Sequence, residues 1–268
     1  MLTTHILFLA IIQGLTEFLP ISSSSHLILV PKLLNWPDQG LVFDVAVHVG
    51  TLGAVIIYFY TDILNMFIGI FKFCIGRKDP RTRIIGQIIV ATFPILLIGF
   101  FLSEYIEIIL RSAELIGWST ILFGIMLYVV DKFSLTVKKI GHLSFKDAFL
   151  IGLFQIIALI PGTSRSGITI TVARFLGYER EASTHFSMLL SIPTIGLSGV
   201  WLIYKLKDLS DINLNNDIFF AALVSFVTAI ISISFLMSWV RRSSFTIFAV
   251  YRVFLGSLIL MFVYLDFF

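Results

Sequence analysis

The chain has 268 residues, of which 58% are hydrophobic and only 13% charged, and its mean hydropathy is +1.00. A soluble domain of this size carries about 25% charged residues, so a soluble globular fold is excluded and an integral membrane protein is expected. The net charge of +3 does not indicate a nucleic-acid partner, because Lys and Arg fall between apolar runs, and the single cysteine, Cys74, excludes an internal disulfide or a cysteine-based metal cluster.

In chain order, a first segment at about 5–34 is apolar, is broken by "EFLPISSSSHLI", and is then apolar again. Its start has no basic lead-in and no small-residue cleavage site, so it is expected to be kept rather than removed as a signal. Apolar spans follow at roughly 44–64, 84–102 and 114–131. A second broken segment occupies about 146–177, interrupted by "IPGTSRSGIT", and further spans run at roughly 183–204, 217–240 and 245–265. The connections alternate in charge. "KFCIGRKDPRTR" (72–83), "DKFSLTVKKIGHLSFK" (131–146) and "RR" (241–242) are basic, whereas "SEYIEIILRSAE" is acidic and "KLKDLSDINLNND" near neutral. The positive-inside rule then predicts six crossings, with the basic connections in the cytoplasm and both termini outside. The 27 Phe residues suit lipid contact and packing.

The two broken segments resemble each other. Pro20 and Pro161 would each break a helix in mid-membrane, and each is followed by a hydroxyl-rich turn and a new apolar stretch. "ILFGIMLYVVD", ending at Asp131, is echoed by "GSLILMFVYLD", ending at Asp266. These features predict an all-α polytopic membrane protein, a single domain over 1–268, built from an inverted-topology repeat. Repeat one covers about 1–131 and repeat two about 140–268. Each holds one re-entrant helical hairpin followed by three full spans, and the hairpin tips meet near the bilayer midplane.

Non-helical backbone at membrane depth survives only within protein or beside a watery cavity, so the tips must line a polar pocket. Ser22, Ser23, Ser24 and Ser25 are suited to cap the helix that begins near His26, as "GTSRSG" caps the helix after Gly167. Two helix N-termini aimed at one place attract anions, and Arg165 adds a fork of donors suited to phosphate. Thr163, Ser164 and Ser166 read as caps with some phosphate contact. Glu17 is an ionisable group in the membrane and hence a functional candidate. Gln13 lies one helical turn before it, placed either to satisfy Glu17 or to touch a metal or water. His26 is read as a functional histidine beside Ser and Glu. His48 and His185, in matching places of the two halves, are read as packing. Arg174, Arg180 and Glu179 are read as interfacial ion pairs, and Gly50, Gly53, Gly196 and Gly199 as points of close helix packing.

Taken together, "QGLTEFLPISSSSHLIL" and "PGTSRSGITIT" resemble the two signature motifs of the bacterial undecaprenyl pyrophosphate phosphatase family of the bacitracin-resistance type. The resemblance covers essentially the whole chain. It implies an enzyme of the plasma membrane that removes the terminal phosphate of undecaprenyl pyrophosphate at the outer face, recycling the cell-wall carrier lipid. It also implies a divalent cation, Mg²⁺ or Ca²⁺, near Glu17 and Gln13; the family carries Glu or Gln at the latter place. The family's functional serine, histidine and arginine correspond to Ser23, His26 and Arg165. Other members often have Thr-Gly before the histidine, where this chain has Ser24-Ser25. The expected chemistry is attack by Ser23, with His26 as base and Glu17 orienting it or holding the metal. Arg165, Ser22, Ser164, Ser166 and Thr163 bind phosphate. Direct attack by water activated at His26 is the alternative. A polyprenyl-phosphate transporter or flippase is the reading from a different class, because inverted repeats with broken helices are also carrier architecture. The partners are the polyprenyl pyrophosphate and membrane lipids, and a homodimer is an allowed assembly.

Overall fold

The computed structural model describes residues 2–37, 39–77, 79, 81–109, 112–206 and 216–265. Among them every extended element is a helix, and the β-type contact is an isolated parallel bridge between Lys138 and Tyr178. The helices are α1 (Leu2–Thr16), α2 (Ser23–Leu33), α3 (Gly40–Tyr58), α4 (Tyr60–Cys74), α5 (Arg81–Ile109), α6 (Ala113–Phe133), α7 (Phe145–Gln155), α8 (Arg165–Phe175), α9 (Arg180–Leu206), α10 (Asn216–Val240) and α11 (Thr246–Tyr264). Short 3-10 turns at Ile140–His142 and Ile156–Leu159 flank α7.

Among the described residues, five helices are long and apolar enough to cross a membrane: α3, the stretch Thr82–Phe101 of α5, α6, α10 and α11. These match five of the six expected spans. The sixth, 183–204, lies within α9, whose first half carries Ser183, Thr184, His185, Ser187 and Ser191. The expected span 44–64 is bent rather than continuous, because Phe59 leaves helical geometry at φ −100°, ψ 27° between α3 and α4. The helical bonds persist through the bend, from Phe59 N–H to Val55 and from Ile63 N–H to Phe59, both at 3.0 Å. The outer surface is apolar, with Phe71 68% and Phe101 69% exposed, which suits lipid as solvent. The expected echo at 256–266 runs along the end of α11, and its final Asp266 lies outside the described residues.

Packing follows from small residues as well as large ones. α6 runs along α11, α10 along both α1 and α3, and α7 along α5. In the α3–α10 seam a methyl group at Gly50 would overlap the Ala222 carbonyl, and in the α5–α7 seam one at Gly152 would overlap Ala91. Gly199, expected at a close contact, faces open space, and a methyl group at Gly196 would meet only Leu52, at 3.8 Å.

Arg174 and Arg180 do form ion pairs, both with Asp131 at the end of α6. Asp131 Oδ1 accepts from Arg174 Nε at 3.0 Å and Arg180 Nε at 2.8 Å, while Oδ2 accepts from the Phe245 N–H at 3.0 Å. Arg174 also donates to the Tyr178 carbonyl at 2.6 Å. One buried carboxylate thus joins the ends of α6 and α8 to the starts of α9 and α11. Breaking such a pair from one side leaves an uncompensated charge worth about 3–5 kcal/mol.

Candidate active site

The site is built where two helices are interrupted. Pro20 has no N–H to offer the Thr16 carbonyl, and α1 ends at Thr16. The chain turns through Ile21, whose N–H bonds to Leu19 at 2.8 Å, and restarts as α2 from the N-cap Ser22. The second interruption repeats this design. α7 decays into a 3-10 turn ahead of Pro161, and α8 restarts from the N-cap Ser164. Both caps are serines held at positive φ, 73° for Ser22 and 68° for Ser164, a conformation that costs a non-glycine residue about 1–3 kcal/mol. The new helices are both 11 residues long. Each tip has the same hydroxyl pair, Ser22 to Ser24 at 3.1 Å and Ser164 to Ser166 at 3.2 Å.

The capping roles differ from expectation in one tip. Ser164 Oγ accepts from the Gly167 N–H at 3.1 Å, as a capping serine should. Ser22 makes no side-chain cap, and its Oγ instead accepts from Ser25 Oγ at 3.0 Å. The first-turn N–H groups of α2 are therefore left uncapped by a side chain, at the positive end of the helix dipole.

The tips meet on Glu17, whose side chain is only 8% exposed. Ser23 Oγ donates to Glu17 Oε2 at 2.7 Å, and Gln13 Nε2 donates to the same oxygen at 3.0 Å. Arg165 Nη2, from the other tip and 148 residues away in sequence, donates to Oε1 at 3.0 Å. Ser166 Oγ donates to the Leu19 carbonyl at 3.0 Å and ties the tips together again. Arg165 is further positioned by the Ser187 carbonyl at 3.4 Å and by the Phe18 ring, whose centroid is 6.0 Å from the guanidinium carbon. His48, read from sequence as packing, points Nε2 at Glu17 Oε2 from 3.9 Å. Its Nδ1 lies 2.7 Å from the Asp44 carbonyl, which requires a proton on Nδ1.

His26 stands apart from this cluster. Its Nδ1 faces the Ser22 carbonyl at 2.7 Å, so that nitrogen carries the proton, and Nε2 accepts from the Tyr251 hydroxyl at 2.6 Å. Both ring nitrogens are thus engaged, and the hydroxyl of Ser23 is joined to Glu17 rather than to His26. Thr163 is fully buried with no hydrogen-bond partner for its hydroxyl. Arg252, which the sequence reading passed over, is fully buried in α11. It donates to the carbonyls of Thr120 at 3.2 Å and Gly162 at 2.8 Å, and its Nη1 has no partner. An arginine inside an apolar span was the signal that would have found it.

A cavity of about 560 Å³ opens from Ser23, Ser24 and His48. Its walls include Leu27, Ile28 and Pro31 on one side, and Trp36 stands further out. Lys32, Gln39 and Asp44 also line it, and this mixture of polar and apolar groups suits an amphiphilic ligand. No group of three His, Cys, Asp or Glu residues that could hold a metal is found among the described residues. Gln13 Oε1, however, is a buried oxygen with no hydrogen-bond partner, beside the Glu17 carboxylate. Two oxygen donors of this kind fit a hard cation that draws its other ligands from phosphate and water.

The family model described as "Bacitracin resistance protein BacA" matches residues 6–258. The undecaprenyl-diphosphatase of Jannaschia sp. (strain CCS1) is 46% identical over 258 residues, covering 96% of this chain and 97% of its own. Those of Ruegeria pomeroyi and Saccharophagus degradans are each 47% identical, over 258 and 253 residues, covering 97% and 95% of their own lengths and 96% and 94% of this chain. With both broken-helix tips inside the matched region, the chain belongs to the bacitracin resistance protein BacA family.

Proposed function

We propose that this protein is an undecaprenyl-diphosphate phosphatase of the bacterial plasma membrane, which returns the cell-wall carrier lipid to its monophosphate form and thereby gives bacitracin resistance. The observation that carries this reading is the convergence of Ser23 and Arg165 on the single carboxylate of Glu17. A nucleophile, a base and a phosphate-binding fork are thereby within one hydrogen bond of each other. The names of the relatives supply the substrate.

The chemistry follows from the atoms present. The terminal phosphate of the substrate takes up Arg165 and the uncapped N–H groups at the start of α2. Glu17 accepts the Ser23 proton as Oγ attacks the terminal phosphorus in line, and the P–O bond to undecaprenyl phosphate breaks. His48 Nε2, turned toward Glu17, takes the serine proton on toward the cavity and frees the carboxylate. Water then attacks the phosphoserine, giving its proton to Glu17, which returns it to Ser23 Oγ as the P–O bond breaks and inorganic phosphate leaves. Arg165 and the helix N-terminus meet the charge that grows on the phosphoryl oxygens. Gln13 Oε1 and Glu17 would hold a Mg²⁺ or Ca²⁺, whose chemistry is to neutralise phosphate oxygens. His26 fixes the Ser22 turn and Tyr251, a positioning role in this scheme.

The proposed topology is two re-entrant hairpins, α1–α2 and α7–α8, in an inverted repeat with α9 as the sixth crossing. The paired serine caps, the equal lengths of α2 and α8, and the packing of α1 on α10 and of α7 on α5 support it. The 560 Å³ cavity then faces outward, away from the basic connections. The test is phosphate release from undecaprenyl diphosphate by the purified protein in detergent with Mg²⁺ or Ca²⁺. Binding of the lipid without phosphate release under either cation would replace the enzyme with a carrier.

A further inference from the structure

A second cavity, of about 400 Å³, shares no lining residue with the first. It lies at the face that carries the basic connections, between α4, the start of α5, the 3-10 turn at Ile140–His142 and α9. Three titratable side chains in it, Arg83, Asp62 and His185, come from separate helices. Arg83 is exposed and makes no ion pair or hydrogen bond among the described residues. Asp62 is 36% exposed, and the nearest cation to it is His185. His185 Nε2 is buried without a hydrogen-bond partner although Asp62 Oδ1 lies 3.3 Å away. A carboxylate and a guanidinium therefore line one cavity on separate helices without neutralising each other. Both groups are open to a ligand that enters beside apolar Met66, Ile84 and Leu189.

We infer that this cavity binds the headgroup of a zwitterionic aminophospholipid, with the phosphate on Arg83 and the ammonium on Asp62. The separation of one acid and one base matches a ligand carrying both charges, and a purely anionic headgroup would meet Asp62. A lipid is favoured over a soluble zwitterion by the surroundings. The outer side of α4 presents Leu64, Phe67 and Phe71, between 54% and 68% exposed, so the cavity lies beside the apolar outer surface. Its volume falls within the range of about 300–1,000 Å³ common to small-ligand sites. This site goes beyond the phosphatase reading and does not depend on it.

The test uses the full-length protein, purified in detergent and stripped of lipid, then offered phosphatidylethanolamine, phosphatidylcholine and phosphatidylglycerol with identical acyl chains. Bound lipid is counted by native mass spectrometry. Phosphatidylethanolamine is expected to bind about tenfold or more above the other two, the equivalent of one charge-assisted hydrogen bond. Asp62→Asn should abolish that preference, and Arg83→Ala should weaken binding of all three lipids about tenfold or more, because each carries the phosphate. Arg83→Ala alters an exposed side chain outside the Glu17 cluster, so its melting temperature and phosphate release should match the parent protein. Equal binding of the three lipids by the parent, an undiminished preference in Asp62→Asn, or undiminished binding by Arg83→Ala overturns the proposal. Displacement of the lipid by millimolar free glycine would make this a site for soluble zwitterions and also overturn it.

Discussion

Replacing Glu17 with Gln removes one charge and almost no volume from the centre of the candidate site. The variant keeps a side-chain oxygen that can accept from Ser23 Oγ, now 2.7 Å from the carboxylate, so the serine stays oriented. It loses the capacity to accept the serine proton, and a positioned general base is worth about 10²–10⁴ in rate. The bond from Arg165 Nη2, 3.0 Å from Oε1, loses its charge assistance in the resting protein. That loss frees the guanidinium for substrate phosphate rather than weakening substrate binding. Turnover should therefore fall by about three orders of magnitude while KM stays within a few-fold or decreases, the signature of an interaction used in the transition state. The assay is steady-state phosphate release from undecaprenyl diphosphate in detergent, repeated across a Mg²⁺ or Ca²⁺ titration. A variant whose kcat stays within tenfold of the parent would refute Glu17 as the base. Recovery of full kcat at high cation concentration would instead assign Glu17 to the metal alone.

Ser23→Ala should lower phosphate release by several orders of magnitude while the diphosphate lipid still binds, because Arg165 and the α2 N-terminus remain; retained hydrolysis would point to attack by water. Arg165→Lys keeps the charge but not the fork that touches both Glu17 and the Ser187 carbonyl, so it should lose most activity, and near-normal turnover would remove Arg165 from the phosphate role. A strong chelator should abolish phosphate release and added Mg²⁺ or Ca²⁺ restore it; full activity in chelator would show that Gln13 and Glu17 work without a cation. At the basic face, outside the spans, burial acts to raise the Asp147 carboxyl, but bonds from Tyr178 and Ser144 and the Lys138 charge outweigh it and hold its pKa below the ordinary 3.8. Its contribution to stability is thus complete above that value and is lost as pH falls below it. The melting temperature of Asp147→Asn should accordingly show a shallower acid decline than the parent, and identical acid limbs would contradict this.

Both interruptions could be read from the sequence because their causes are local. A proline followed by a run of hydroxyls interrupts both segments, whereas α5 and α9 continue through the isolated Pro94 and Pro193. The shared logic of "PISSSS" and "GTSRSG" also pointed to one anion site, and Arg165 does reach the first tip. What sequence could not supply was which partner each side chain takes. His26 lies three residues from Ser23, yet its orientation is decided by Tyr251, 225 residues away on α11. His48 was read as packing because nothing in "VAVHVG" distinguishes a helix face turned to a neighbour from one turned to Glu17. The bend at Phe59 likewise has no proline or glycine to announce it. Arg252 is a different case, since the residue itself was visible in "FAVYRVFLGS" and only its burial against Gly162 was not.

The use of serine at the two strained caps bears on what the tips are for. Glycine would occupy φ near 70° without steric cost, and the chain places glycine at positive φ nearby, at Gly162. At Ser164 the hydroxyl compensates for the strain directly by capping Gly167. At Ser22 it does not cap, so its contribution lies in the chain of hydroxyls from Ser24 through Ser22 to Ser25 and on to Thr120 of α6. That chain fixes the start of α2 against the rest of the protein without consuming the backbone donors of its first turn. The asymmetry therefore has a chemical sense: the second tip is closed by its own cap and projects Arg165. The first tip holds Ser23 on Glu17 and leaves its helix N-terminus uncapped by a side chain. A fully capped first tip would be more stable on its own and less able to receive a phosphate.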